Sequence, residues 1–228
     1  MLNVPRLFCA RSVIFCLLVA SAGSIANAQV SQNPALDKQL SRLDLAVSGI
    51  GVLNSNSSGT AVVEAVPTTV SLHPGNTVGA LVTVRYTVKP FVGFEFNYGY
   101  ARYTDTFTPL GILNPPSSGG IQQNAAEYTF GYVVHAPKKY YGINPFVAVG
   151  AGTTDFRPTP GGGLGYLPQA RATYYYSVGA EALVSTHFGV RAQFREAFFK
   201  APDFETNYLT IQQHTTSIEP GFGFFLRF

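Results

Sequence analysis

Eight stretches of this chain alternate large apolar residues with small or polar ones at a period of two, and the joins between them are by turns long and short. The stretches are residues 42–53, 76–88, 91–103, 125–136, 144–156, 170–185, 188–200 and 214–228. The clearest is 91–103, where Val92, Phe94, Phe96, Tyr98 and Tyr100 alternate with Gly93, Glu95, Asn97, Gly99 and Ala101. Successive side chains of a strand point to opposite faces, so each stretch has one greasy face and one small or polar face. The joins over 54–75, 104–124, 157–169 and 201–213 are long; Lys89-Pro90, residues 137–143 and Thr186-His187 are short. A sandwich of two sheets does not sort loop length by strand end. A transmembrane barrel does, with short turns on one side and longer loops on the other. Each stretch also reaches the ~9–11 residues that a tilted span requires. The expected fold is all-β, an eight-stranded antiparallel up-and-down transmembrane β-barrel over residues 42–228. Part of the first long join, around Val62–Val70, is expected to extend the strands as a hairpin beyond the membrane.

The last stretch fits this closure. Ile218, Phe222, Phe224, Leu226 and Phe228 share one parity, and Ser217, Glu219, Gly221, Gly223 and Arg227 the other. A closed barrel pairs its last strand with its first, which removes both edges. Phe225 is a large ring on the inner parity and is expected to plug the short-turn end.

The N-terminus is expected to be processed. Arg6 and Arg11 precede the apolar run 12–22, and Ala26-Asn27-Ala28 offers a cleavage site. Residues 1–28 therefore read as a secretory signal peptide. The run is shorter than the ~20 residues a helical span needs. Residues 29–41 read as a short periplasmic lead with one helical turn near Pro34. Both cysteines, Cys9 and Cys16, lie in the signal, so no disulfide is expected. Losing Arg6 and Arg11 takes the formal charge from +3 to +1, which argues against a nucleic-acid partner. The charged fraction of 12% is about half that of soluble domains, as a lipid-embedded chain requires.

Volume decides which face points inward. Eight strands enclose a space just wide enough for side chains or one small ligand, so the aromatics of every strand cannot all enter it. A soluble barrel with its aromatics inside is disfavoured on this ground. The aromatic face is expected to meet lipid, with Tyr98, Tyr100, Tyr103, Tyr174 and Tyr176 near the outer interface. The inward face then carries charges of opposite sign at matched heights. The expected pairs are Arg85 with Glu95, Glu181 with Arg191, Arg195 with Glu219, and Asp44 with Arg227 at the closing seam. An unpartnered buried charge is costly, so this matching supports the assignment. Glu196 has the outward parity and is expected at the headgroup edge or in a bulge. No two of His73, His135, His187 and His214 share metal-ligand spacing, and neither a metal nor a cofactor is expected.

The chain resembles the OmpA/OmpX-like family of small outer-membrane barrels. The resemblance covers Leu43 to Phe228 and rests on the signal, the strand lengths, the loop asymmetry, the run from Val92 to Tyr100, the segment Asn144 to Gly152 and the terminal phenylalanine. It implies insertion among the lipids of a Gram-negative-type cell outer membrane. It also implies a final strand read by the barrel assembly machinery through Phe222, Phe224, Leu226 and Phe228. It does not imply a single activity. No wall-binding domain is expected after Phe228. Some barrels of this kind are lipid-modifying hydrolases using Ser and His at the outer rim. Here His214 and Ser217 are three apart in a strand and point to opposite faces, so no enzymatic activity is expected. The expected role is that of a structural or interaction protein, with a side-chain-filled interior and the four long joins displayed to a ligand the sequence does not name. The alternative is a narrow channel for small or apolar solutes.

Overall fold

The computed structural model describes residues 34–63, 66–110, 117–204 and 213–228. The expected signal peptide and the first residues of the lead lie outside these ranges, as do 64–65, 111–116 and 205–212 of the expected loops. Pro34–Leu40 forms a short helix, α1, and Ser41–Phe228 forms a compact unit of its own. Proline suits such a start, because its missing N–H is one the first turn leaves unbonded anyway.

Ten strands follow among the described residues: β1 Leu43–Asn54, β2 Ser57–Val63, β3 Val66–Pro74, β4 Thr77–Lys89, β5 Val92–Leu110, β6 Ser117–His135, β7 Ile143–Pro158, β8 Gln169–Leu183, β9 Phe188–Lys200 and β10 His214–Arg227. Eight of them close a ring in the order β1-β4-β5-β6-β7-β8-β9-β10. The seam joins β1 to β10, with Asp44 opposite Arg227 and Val47 opposite Phe224. The first long join is a hairpin, β2 with β3, and Ser71–Pro74 of β3 adds onto Asp105–Thr108 of β5. The second join is shorter than its 104–124 expectation, because β5 and β6 stay paired as far as Leu110 opposite Ser117.

A reversal of polarity along the strands explains both differences. Between Phe94 and Tyr100 the outward residues of β5 are aromatic, with Phe94, Phe96 and Tyr100 exposed and Tyr98 half-buried, while Glu95 and Asn97 are buried inside. Beyond Ala101 the pattern inverts: Arg102, Thr104, Thr106 and Thr108 point outward, and Tyr103 and Phe107 are buried inward. On β6, Ile121 is buried inward and Gln122 and Asn124 face out. On β3, Val70 and Leu72 are buried, with Thr69 and Ser71 on the other face. A strand crossing lipid needs its greasy side out; the same strand standing in water needs it in. Sequence reasoning that looks for one apolar outer face reads the second regime as loop.

Tyr103 is the residue this corrects. It was expected at the outer lipid interface, yet it is odd-numbered on β5 and lies inside, 8% exposed, in an apolar cluster with Leu72, Phe107, Ile121, Phe156 and Phe199. Tyr98, Tyr100, Tyr174 and Tyr176 do face outward. Phe225 lies inside, as its parity requires, and the interior also takes the rings of Phe146 and Tyr175. Glycines vacate the room. A Cβ on Gly131 would sit 2.1 Å from the Tyr175 hydroxyl, and one on Gly189 would sit 2.4 Å from the Phe225 ring. Gly131→Ala is accordingly expected to push Tyr175 off its partners and to destabilise the barrel by about 1–3 kcal/mol. A lowered urea midpoint in refolding experiments would register it, and an unchanged midpoint would show that Tyr175 has slack.

Candidate functional site

The inward side chains of the lipid-crossing part form two charged layers. The layer nearer the short turns is centred on Glu181 of β8. Its Oε1 accepts from Arg85 Nη1 and pairs with Arg191 Nη2 at 2.8 Å, and its Oε2 lies 3.7 Å from His135 Nε2. Arg85 also donates from Nη2 to Glu95 Oε2 at 2.7 Å. At the seam, Arg227 clasps Asp44 through two hydrogen bonds of 2.8 and 2.9 Å. Phe146 lies beneath the Arg85 guanidinium at 4.5 Å. Phe225, 1% exposed, fills the space between Arg191 and Arg227, 5.8 and 5.6 Å from its ring centre.

The second layer lies further toward the long loops. Arg195 of β9 donates from Nη2 to Glu127 of β6 and from Nη1 to Glu219 of β10. Tyr175 ties the layers together. Its ring lies 4.4 Å from the Arg195 guanidinium carbon, and its hydroxyl donates to Glu95 Oε1 at 2.9 Å. Asn97 donates to the same hydroxyl at 2.9 Å and accepts from Thr83 at 2.7 Å. Arg85, Arg191 and Arg195 are each 2% exposed or less. A buried pair holds only when its remaining hydrogen bonds are met, and removing one member leaves a stranded charge.

Arg85, Glu95, Glu181, Arg191, Arg195, Glu219, Asp44 and Arg227 thus all point inward, and each meets the partner at its own height. Sequence reasoning missed the links that span the lumen. Glu127 has inward parity but no cation level with it on a neighbouring strand; its partner Arg195 sits three strands away. Arg85 reaches Glu181 from β4 to β8 in the same way. Matching heights across one turn finds neighbours on the wall and not pairs across the bore. Glu196 faces outward in unbroken register with both neighbours, without a bulge, and accepts from the Tyr176 hydroxyl. His214 is exposed and Ser217 is buried with inward parity, so the two do not meet. Phe222, Phe224, Leu226 and Phe228 form an outward row, each 43–57% exposed.

Above the charged layers, beyond the apolar belt that ends at Tyr100, stands Asp105. It is fully buried, accepts a 2.6 Å bond from Gln123 Nε2, and its Oδ1 has no partner. Burial pushes its carboxyl up to about 8. The sign follows from linkage. The closed cap keeps the proton while the opened chain loses it near the ordinary 3.8, so the cap is most stable below about pH 4 and weakens from there to about pH 8. Asp105→Asn is expected to remove that dependence. Hydrogen exchange of the β3 and β5 amides between pH 5 and 8 reads it, after correction for intrinsic exchange rates. A wild-type opening free energy that stays level with pH would contradict the assignment.

Residues 15–224 match the family described as the outer membrane protein beta-barrel domain. Among solved structures, the outer membrane protein OprG from Pseudomonas aeruginosa is similar at a TM-score of 0.58 with 12% identity, covering 82% of this chain and 95% of that one. Neisserial surface protein A is similar at a TM-score of 0.50 with 11% identity, covering 82% and 96%. At such identities the likeness is one of fold. No curated protein matches the sequence.

Proposed function

The chain belongs to the family of the outer membrane protein beta-barrel domain, and from that premise we propose that it works as a closed, side-chain-filled barrel whose task is to display its long-loop end outside the cell. One observation carries this reading: the bore is crossed at two heights, by Arg85 with Glu181 and by Arg195 with Glu127, and both arginines are almost wholly buried. A solute passing through would have to break both layers, and each break strands charge in a low-dielectric space. What projects beyond the belt is the β2–β3 hairpin and the extended β5–β6 pair, with a threonine- and serine-rich outer face. That surface is suited to water and to a binding partner, and not to lipid. The barrel serves as its anchor, without a catalytic role.

The N-terminal signal would export the chain, and the row Phe222, Phe224, Leu226 and Phe228 would present the final strand to the barrel assembly machinery. Recording from planar bilayers tests the sealed reading against the alternative of a narrow channel for small or apolar solutes. The purified barrel, sealed at both layers, is expected to leave the membrane current flat. Discrete wild-type steps would favour the channel.

A further inference from the structure

We propose that the short-turn end of the barrel docks on anionic phospholipid headgroups, through two neighbouring turns that carry Lys89 and Phe91 and Lys138, Lys139, Tyr140 and Tyr141. In an outer-membrane barrel the short turns face the periplasm, so the leaflet concerned is the inner one. The inference rests on the barrel standing in a membrane and not on whether its bore is sealed.

Charge is the first observation. Lys89, Lys138 and Lys139 are exposed, and Arg42 lies half-buried at the same end. Among the described residues of Ser41–Phe228, the acids at this end are Asp44 and Glu181, and both are buried in the bore against arginines. The acids of that unit that escape burial, Asp155 and Glu196, stand on the outer wall nearer the long loops. The side chains presented at the short-turn rim are therefore cationic, and the anion a membrane offers at that height is a lipid phosphate. Position is the second observation. The His135 N–H donates to the Phe91 carbonyl at 2.8 Å, which sets the two turns side by side. Val88, Val134, Ile143 and Val147, on the strands that enter and leave them, are exposed on the lipid face. The apolar belt thus runs down to the turns and puts their lysines and rings at headgroup height, where aromatic rings gather and lysine stems reach toward water.

The backbone supplies the third observation. Tyr140 and Ile143 exchange two hydrogen bonds of 2.9 Å around Tyr141 and Gly142, whose φ angles are 51° and 83°. A two-residue hairpin turn with positive φ at both central places favours asparagine, aspartate or glycine. Here the first is a tyrosine, a bulky residue in a left-handed conformation that suits it poorly. Its exposure is 104%, so the fold does not hold the ring where it is. Strain of this kind is kept where a site uses it, and a ring held out beside two lysines at the edge of the belt fits a headgroup layer.

The chain has no tryptophan, so Tyr141→Trp places a single reporter at the tip of the turn. The folded barrel carrying it is reconstituted in phosphatidylcholine vesicles that contain, at equal mole fraction, either phosphatidylglycerol or phosphatidylcholine brominated on the acyl chains, because bromine quenches tryptophan on contact. Brominated phosphatidylglycerol is expected to quench as though enriched about fivefold around the turn. The excess should vanish at about 1 M salt, where the screening length falls to about 3 Å. Lys138→Gln combined with Lys139→Gln is expected to lower the enrichment to about twofold or less, and Arg102→Gln, at the long-loop end, to leave it unchanged. Equal quenching by the two lipids would overturn the proposal, because the turn would then touch the membrane without selecting its charge. Quenching by neither would also overturn it, placing the turn in water and open to a soluble or wall-bound partner. A preference that survives the loss of both lysines, or that falls as far in Arg102→Gln, would count against the site as well. If Tyr141→Trp does not fold, Tyr140→Trp carries the same comparison. A barrel that conducts yet keeps the lipid preference would refute the sealed reading alone; a flat current without the preference would refute this one alone.

Discussion

Glu181→Ala lowers the unfolding free energy of the barrel by about 3–5 kcal/mol, the usual cost of removing one member from a buried ion cluster. Glu181 is the acceptor that Arg85 and Arg191 share, and it is 2% exposed. Without it two guanidiniums face each other across the bore, with Glu95 left to balance Arg85 alone. The Arg191 nitrogens make no hydrogen bond of good geometry, so its charge depends on the nearby carboxylate. Glu181→Gln keeps the volume but not the charge, and most of the loss is expected to remain. Urea unfolding in lipid vesicles, followed by tyrosine fluorescence, measures both. A loss below about 1 kcal/mol in the alanine variant would mean that water enters and screens the arginines.

Arg195→Met gives the second large effect, again about 3–5 kcal/mol. It leaves Glu127 and Glu219 facing each other without a cation and removes the charge above the Tyr175 ring. The companion experiment separates the value of the pair from the cost of stranding charge. Adding Glu127→Gln and Glu219→Gln to Arg195→Met removes all three charges, and most of the lost stability is expected to return. Well-packed neutral groups often match a buried ion cluster in stability. If the triple variant is no more stable than Arg195→Met, the layer contributes through its hydrogen-bond geometry and not through charge balance.

The lipid-crossing part of the fold was legible because its pattern is a simple one. Val92 to Tyr100 alternates without interruption, and the same parity rule puts Glu95, Arg191 and Arg195 in the bore. Signs at matched heights then paired neighbours such as Arg85 with Glu95. Two kinds of information were not in that pattern. The contacts of Glu127 with Arg195 and of Arg85 with Glu181 cross the lumen, and strand spacing carries no signal for which far wall a long side chain reaches. The reversal beyond Ala101 is written in the sequence, as Arg102-Tyr103-Thr104-Asp105-Thr106-Phe107-Thr108. It reads correctly only if the solvent outside the strand changes from lipid to water at that height. Tyr103 shares the inward parity of Glu95 and Asn97, and only a rule that sends every aromatic ring to lipid places it outside.

Cysteine scanning along β5 tests most directly that one strand passes from lipid to water around a sealed bore. The two native cysteines, Cys9 and Cys16, both fall within the expected signal peptide, so each introduced thiol is reported alone. In intact cells, a membrane-impermeant maleimide is expected to label cysteines at Arg102, Thr104, Thr106 and Thr108. It should spare those at Phe94, Phe96 and Tyr98, which a lipid-soluble maleimide reaches instead. Positions Asn97, Tyr103 and Phe107 should be silent to both reagents. Labelling of Asn97 or Tyr103 by the impermeant reagent would mean an open, watered bore, and protection of Thr104 and Thr106 would mean that the strand never leaves the lipid.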